Sequence, residues 1–253
     1  MNKKLDKNLI AKNFSRGAKS YDENAETQLA AVKKLVALSC SFIKNNSQIL
    51  DLGCGTSFIA KEICQKFSAE ITETDIAIDM LKSWVDRPKN VSAIHCDIEN
   101  LPFEKNSFDI IFSSFALHWI NDFEKNFLQF SALLKKNGIL AFCLPTAGSL
   151  DELRSSNIFQ FNKFPNNVII KSALEKCGAK EISFLCESKN QKFESGYQAL
   201  KFIKKIGGNS NQSKKIISKT RLEEFNKFCL KNFSDDNKNF SLSWNISYFI
   251  YQI

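Results

Sequence analysis

Residues 49–57, "ILDLGCGTS", place an acid and two glycines directly after an apolar run. Glycine has no Cβ, so Gly53 and Gly55 would let the backbone pass close to a ligand. The dinucleotide fingerprint needs a third glycine where Phe58 stands, and no P-loop lysine follows. Taken alone, the stretch fits a nucleoside pocket with Asp51 at the strand end, or only a tight turn.

Two further acids follow later strand-like segments. Asp75 lies 20 residues beyond Gly55 in "ITETDIAIDML", and Asp97 lies in "HCDIENLPF". A carboxylate at the end of a second strand can accept hydrogen bonds from both ribose hydroxyls. The alternatives are a helix cap for Asp75 and a surface turn for Asp97.

The segment "NSFDIIFSSFALHWI" starts as a fourth strand. Ser113 and Ser114 are predicted at its carboxyl end, where open α/β sheets bind ligands, and His118 and Trp119 follow. A lone histidine is more often structural than catalytic, so both roles stay open for His118.

In order and spacing these segments resemble the class I S-adenosylmethionine-dependent methyltransferases, whose first motif is D-x-G-x-G-x-G. Ser57 stands where the third glycine often sits. The resemblance implies S-adenosylmethionine as cofactor, no metal, and an acid at Asp97 that faces the adenine amino group. The residues that it implies for cofactor binding are Phe14, Tyr21, Asp51, Gly53, Gly55, Asp75, Ile76, Asp97, Ile98 and Ser113.

A finer resemblance covers nearly the whole chain. "NFSRGAKSYDENAETQ", with Phe14, Tyr21 and Gln28, is similar to the N-terminal signature of the malonyl-acyl carrier protein O-methyltransferases of biotin synthesis. "DIENLPFEKNSFDIIFSSFALHW", "TAGSLDELR" and "ALKFIKKIGG" are similar to that family too. The departures are Ser57 for glycine, His118 where glutamine is frequent, and Gly207-Gly208 where Gly-Ala is common.

This resemblance implies methyl esterification of the free carboxylate of malonyl-acyl carrier protein, or of malonyl-coenzyme A. The reaction belongs to an early step in making the pimeloyl part of biotin. A carboxylate is already ionised at neutral pH and needs no general base. We therefore expect Ser113, Ser114, His118 and Trp119 to position the reactants. Arg154 in "GSLDELR" is expected to bind the substrate carboxylate, with a surface pair to Asp151 as the alternative.

Positive charge is concentrated in the last part of the chain. The net charge is +8, with +1 in residues 1–150 and +7 in residues 151–253. Residues 189–221 hold nine basic residues and one acid. This stretch is either a solvated surface or a docking surface for the acidic carrier protein. The lysines expected to contact the carrier are Lys201, Lys204, Lys205, Lys214 and Lys215.

The rhythm of strands and helices predicts a Rossmann-like α/β fold. We expect a seven-stranded, mostly parallel sheet with the last strand antiparallel, helices on both faces, and a C-terminal helical insertion. One domain is predicted over residues 1–253: a helical lid at 1–46, a cofactor core at 47–145, and a substrate and carrier-docking part at 146–253. Residues 123–138 are expected to form a helix capped by Gly138, and residues 166–178 a strand or turn before a helix.

Composition bears on metal binding, cellular location and nucleic-acid binding. The eight cysteines lack C-x-x-C spacing and only two histidines exist, so a zinc site is not expected. Free thiols, no signal-like start and no apolar run of about 20 residues favour a soluble, cytoplasmic protein without membrane contact. We also expect the chain to be a monomer. No nucleic-acid module is recognised despite a pI near 9.0.

Two rival functions remain at this stage. One is a small-molecule methyltransferase that acts on a carboxylic acid or a quinone precursor. Methyl transfer to carbon or to a neutral hydroxyl would usually need a base, and His118 would then gain importance. The other is a catalytically silent, S-adenosylmethionine-binding assembly factor.

Overall fold

A seven-stranded sheet in the order β3-β2-β1-β4-β5-β7-β6 forms the centre of the chain. The computed structural model describes residues 4–156, 158, 163–208, 218–236 and 239–253. β7 pairs antiparallel with both of its neighbours, and strands β1 to β5 pair in parallel. The predicted Rossmann-like sheet is confirmed. The strands are β1 (Gln48–Leu52), β2 (Glu70–Asp75), β3 (Val91–His95), β4 (Phe108–Ser114), β5 (Leu134–Pro145), β6 (Lys180–Phe193) and β7 (Phe240–Gln252).

Helices cover both faces of this sheet. They are α1 (Lys7–Gly17), α2 (Tyr21–Asn24), α3 (Glu26–Ser39), α4 (Phe58–Cys64), α5 (Ile78–Leu81), α6 (Phe123–Leu133), α7 (Asp151–Ser155), α8 (Asn167–Lys176), α9 (Gly196–Lys205) and α10 (Lys219–Phe233). Side-chain alternation in β1 sends Ile49 to the core under α3 and α4, and Leu50 and Leu52 to the core under α6 and α8. Helices α9 and α10 form the predicted insertion, between β6 and β7.

One local prediction was wrong, and a second was right only for its helix. Helix α6 ends at Leu133, and Leu134 opens β5 opposite Phe108, so Gly138 lies inside a strand rather than at a helix cap. A Cβ at Gly138 would lie 2.8 Å from the Lys135 carbonyl oxygen, which explains glycine there. Residues 166–178 contain no strand. Helix α8 begins at once, because the Asn166 side chain accepts a hydrogen bond from the Val168 amide.

The first helix and the C-terminal insertion meet above the sheet. A Cβ at Gly17, the last residue of α1, would lie 2.8 Å from the Lys205 carbonyl oxygen. Gly207 has a φ of +77°, and a Cβ there would lie 2.5 Å from the Phe14 ring. Two glycines therefore allow α1 to pack directly against the end of α9.

No described helix is both long and apolar enough to cross a bilayer. All eight cysteines are free thiols. Within the described ranges, no cluster of three or more histidine, cysteine, aspartate or glutamate side chains could hold a metal ion.

A buried ion pair fastens β2 to the segment after α5. Glu73 is fully buried in β2, and the Arg87 Nε donates to its Oε2 at 2.8 Å. Arg87 also donates to the carbonyls of Leu81, at 2.6 Å, and Trp84, at 3.0 Å. Removing one partner of such a pair leaves an uncompensated buried charge.

The variant Arg87→Met should therefore lower the free energy of unfolding by about 3–5 kcal/mol. Adding Glu73→Gln should recover a large part of that loss, because the second substitution removes the stranded charge. Urea unfolding of both variants measures this. Lys176→Met breaks only an exposed pair with Glu124 and serves as the control, with an unchanged midpoint. Equal midpoints for Arg87→Met and the wild type would show that the pair contributes nothing.

Candidate active site

A cavity lies at the carboxyl ends of β1, β2 and β4. It sits where the strand order reverses between β1 and β4, the place at which open α/β sheets bind ligands. Nine of the ten residues that the sequence assigned to the cofactor border this cavity. They are Phe14, Tyr21, Asp51, Gly53, Gly55, Asp75, Ile76, Asp97 and Ile98.

The loop after β1 depends on left-handed backbone. Gly53 has a φ of +68°, and a Cβ there would lie 2.3 Å from the Ala116 Cβ. Gly55 has a φ of +55°, and a Cβ there would meet no atom within 4 Å, so this residue borders open space. Ser57, at the position of the frequent third glycine, also has a positive φ, +71°. The backbone thus keeps the glycine conformation with a serine in place.

Asp75 connects the end of β2 to this loop. Its Oδ2 accepts a hydrogen bond from the Gly55 amide at 2.9 Å, and its Oδ1 accepts one from the Ala77 amide at 2.7 Å. Burial raises the pKa of Asp75 to about 6, against the lowering effect of these amides. The carboxylate therefore holds the glycine loop and also borders the cavity.

Asp51 is the most unusual group in the cavity. Its side chain is fully buried, and neither carboxylate oxygen has a partner among the described residues. Its backbone pairs with that of Glu73 on β2. Burial, followed by the charges of Glu73 and Asp75, raises the pKa of Asp51 well above its usual value. A buried carboxylate in this state favours a ligand that brings positive charge or hydrogen-bond donors.

Lys7 closes the far end of the cavity and was missed from the sequence. Its Nζ lies 3.4 Å from Asp97 Oδ1 and 2.7 Å from Glu99 Oε2, and it donates to the Trp119 carbonyl at 3.0 Å. These contacts join α1 to residues at least 90 positions away. No local pattern in the sequence signals them.

A second cavity adjoins the first. Five residues border both, so they mark the junction: Phe14, Tyr21, Gln28, Phe115 and Trp119. The other described residues of its wall are almost all apolar or aromatic: His118, Pro145, Leu150, Phe164, Ile203, Ile206, Gly208 and Trp244. Phe14 and Trp119 meet edge to face at the junction, with ring centroids 6.0 Å apart.

The residues predicted to position the reactants divide into two groups. Ser114 borders the first cavity, His118 the second, and Trp119 both. Ser113 borders neither cavity, because its buried hydroxyl donates to the Leu52 carbonyl at 2.8 Å and so fastens β4 to β1. Burial lowers the pKa of His118 to about 3, so its ring is neutral near pH 7.

Arg154 is not in the wall of either cavity. It pairs with Asp151, the alternative that the sequence left open. Its guanidinium carbon also lies 5.6 Å from the ring centroid of Phe164, which does line the second cavity. The Phe164 ring therefore lies between Arg154 and that cavity.

Three of the five predicted docking lysines lie on α9. Lys201 covers the ring of Tyr197 at 4.5 Å, and Lys205 donates to the Asn24 Oδ1 at 3.2 Å. Lys204 is exposed on the same helix, whereas Ile203 borders the second cavity. Lys214 and Lys215 fall outside the described residues.

Two aromatic residues of the second cavity were also missed. Phe115 follows β4 with a φ of +54°, and its ring packs against Trp244 with centroids 6.0 Å apart. Trp244 comes from β7, which is placed beside this site by its antiparallel pairing with β5 and β6. The aromatic pattern of residues 240–252 indicated a strand but could not show which side chains face a cavity.

Comparison with known proteins agrees with this architecture. A family described as "Methyltransferase domain" matches residues 50–142. The chain is 30% identical over 243 residues to malonyl-[acyl-carrier protein] O-methyltransferase 1 of Ilyobacter polytropus, covering 92% of this chain and 90% of the relative.

Solved structures share the fold at low identity. A protein of Bacillus halodurans assigned as a methyltransferase superimposes with a TM-score of 0.66 at 16% identity, over 88% of this chain and 98% of the other. Geranyl diphosphate methyltransferase in complex with S-adenosylmethionine gives a TM-score of 0.57 at 12% identity, over 88% and 84%.

The glycine loop, the acids at the strand ends and the match to Ilyobacter polytropus along nearly the full length lead to one assignment. The chain is an S-adenosylmethionine-dependent methyltransferase, and it belongs to the malonyl-[acyl-carrier protein] O-methyltransferase family.

Proposed function

We propose that the chain transfers the methyl group of S-adenosylmethionine to the free carboxylate of malonyl-acyl carrier protein, or of malonyl-coenzyme A, early in biotin synthesis. The observation that carries this proposal is the apolar second cavity joined to the first, with no acid–base pair among the described residues at the junction. The substrate is suggested by the activity named for the Ilyobacter polytropus relative, which matches 92% of the chain. A carboxylate suits a site without a general base, because it is already ionised at neutral pH and needs no proton removed.

The chemistry of the first cavity fits the proposed cofactor. The unpartnered Asp51 carboxylate and the open space at Gly55 suit a ligand with positive charge and hydroxyl donors. We assign Asp75 to the ribose hydroxyls, Asp97 to the adenine amino group, and Ile76 and Ile98 to the adenine faces. In this proposal Gly53 and Gly55 lie along the amino-acid end and ribose, with Asp51 near the positive charge.

The cofactor supplies an electrophilic methyl group on a sulfonium. The chain contributes position and exclusion of water. In this proposal Trp119 and neutral His118 shape the junction, and Ser114 borders the cofactor side. Ser113 acts indirectly, through its bond to the Leu52 carbonyl. Methyl esterification moves no proton, so His118 is not needed as a base.

Residues 1–46 form a lid in this proposal, residues 47–145 the cofactor core, and residues 146–253 the substrate part. Phe14 supports the lid assignment, since its ring borders both cavities and packs on Gly207. Lys7 would hold the adenine end of the lid through Asp97 and Glu99. We expect the chain to act as a monomer.

Arg154 and the lysines of α9 are proposed to guide the anionic substrate. Arg154 would attract the carboxylate at the rim of the second cavity, beside Phe164. Lys201, Lys204 and Lys205 would attract the acidic carrier protein. They lie on the helix whose Ile203 borders the same cavity, so a docked carrier would stand close to where its arm must enter.

Purified protein with radiolabelled S-adenosylmethionine should place base-labile methyl label on malonyl-acyl carrier protein. Acetyl-acyl carrier protein, which lacks the free carboxylate, is the matched negative substrate. Malonyl-coenzyme A and free malonate test how much of the carrier is required. Cofactor binding without label on any of the three malonyl substrates would favour a silent binding protein, and label on a phenol alone would favour the small-molecule reading of the site.

The affinity for S-adenosylhomocysteine should fall as the pH drops through about 6, because ribose hydroxyls donate to the ionised form of Asp75. Asp75→Asn should bind roughly tenfold more weakly at pH 8 and lose this pH dependence. Calorimetric titrations between pH 5 and pH 8 measure both effects.

The stability of the ligand-free chain should change in the opposite direction. The folded pKa of Asp75 lies above the unfolded value, so the folded state takes up the proton first and its free energy of unfolding rises as the pH falls from about 6 to about 4. An affinity that rises on acidification would contradict the assignment of Asp75.

The double variant Lys201→Glu/Lys204→Glu should raise the KM for malonyl-acyl carrier protein about tenfold at low salt. The KM for malonyl-pantetheine should not change, because that substrate carries no acidic protein. The difference should shrink as ionic strength rises. Lys82→Glu/Lys105→Glu, exposed elsewhere, is the control. Equal effects of the two double variants would exclude α9 as the docking helix.

A further inference from the structure

The described wall of the second cavity offers no positive charge to a substrate carboxylate. None of the described residues that line this cavity is lysine or arginine. Lys7, on the wall of the first cavity, is engaged by Asp97 and Glu99. An anion without a cation from the protein still needs hydrogen bonds, because an unpaired buried charge is costly.

Unused hydrogen-bonding groups are concentrated at the place where the two cavities meet. Gln28 on α3 is 4% exposed, and its Oε1 has no partner within the described part of the chain. Trp119 after β4 is 9% exposed, and its indole Nε1 likewise has none. Both residues border both cavities. The Nδ1 of His118, on the wall of the second cavity, is buried and unpartnered as well.

Such groups call for an explanation, since buried polar atoms in folded proteins are nearly always hydrogen-bonded. An indole N–H can only donate. A terminal amide can present its NH₂ group to the cavity by a simple flip. The neutral ring of His118 can place its proton on Nδ1. The wall of the junction therefore offers two side chains that can donate and a third close by, and none of them is charged.

We propose that Gln28 and Trp119 are the residues that hold the substrate carboxylate, through hydrogen bonds from neutral donors at the junction, with His118 as a third donor beside them. This inference rests on the proposed function. A carboxylate oxygen forms the new bond to the methyl carbon while the carbon–sulfur bond breaks, and that electron pair stays on sulfur. No proton moves, so donors that only orient the anion are sufficient.

Neutral donors have two consequences, and a guanidinium would share only the second. They fix the direction of the oxygen lone pair without neutralising the anion, whose charge is then balanced by the sulfonium. They also bind the charged acid more strongly than the uncharged ester, because hydrogen bonds to charged groups are the stronger ones. The product therefore loses the interaction that held the substrate.

The test measures binding of malonyl-pantetheine and of its methyl ester to protein loaded with sinefungin. The protonated amine of sinefungin supplies the positive charge next to the transferred methyl position. Gln28→Met keeps the length of the side chain, and Trp119→Phe keeps an aromatic ring against Phe14. Gln65→Met and Trp84→Phe, both away from the two cavities, are the matched controls.

We expect the wild type and both controls to bind the acid at least about tenfold more tightly than the ester. Gln28→Met and Trp119→Phe should each lose about tenfold in acid affinity, with the ester affinity changed less than about twofold. Their affinity for sinefungin should stay within about threefold of the wild type. These ratios distinguish loss of an anion contact from general damage to the site.

Acid preference that persists in both variants would overturn the inference, and so would its loss only in Arg154→Ala. Methyl transfer to malonyl-acyl carrier protein is measured in parallel. If the wild type prefers the acid through Gln28 and Trp119 but transfers no methyl group to that carrier, the inference holds and the proposed substrate falls. If transfer occurs while both variants keep the acid preference, the inference alone falls.

Discussion

Buried negative charge on β1 and β2 is the constraint on which the site depends. Asp51 and Glu73 are fully buried on adjacent strands, and Asp75 follows at the end of β2. Arg87 balances only Glu73. The first cavity is thus built with more acid than the described protein neutralises. Burial raises the pKa of both aspartates, and for Asp51 the charges of Glu73 and Asp75 add to this effect. A cationic ligand relieves this cost, so the same groups that disfavour the empty site favour a sulfonium and an ammonium.

Helices α1 and α9 lie over the sheet, where α1 borders both joined cavities and α9 borders the second. Phe14 on α1 stands between the two cavities, and its ring rests on Gly207 after α9. A second close contact brings Gly17 on α1 against the Lys205 carbonyl oxygen at the end of α9. Elements from the two ends of the chain therefore share one interface above the sheet. A shift of α9 on contact with a partner would displace the Phe14 ring, because close-packed groups transmit small displacements.

Short-range patterns in the sequence were sufficient for the mostly parallel sheet and for choosing residues that border one cavity. Glycines, acids and strands at regular spacing place Gly55 and Asp75 at one sheet edge, and a hydrogen bond joins them. Contacts made by side-chain register or by distant helices could not be predicted in this way, as Lys7 and Trp244 illustrate. Local spacing was also insufficient at Gly138, where the pairing of Leu134 with Phe108 ends the helix early.

The division of charge between the two cavities explains why a carboxyl methyltransferase would exclude water rather than recruit a base. The acids lie in the first cavity and the aromatic wall in the second, so opposite charges of cofactor and substrate would meet at the junction. Methyl transfer then turns a cation and an anion into a thioether and an ester, both neutral. A low-dielectric surrounding raises the free energy of the charged reactants more than that of the neutral products. The reaction therefore becomes more favourable where water is absent. The neutral ring of His118 is consistent with this, since a charged imidazolium would make the surroundings of the junction more polar.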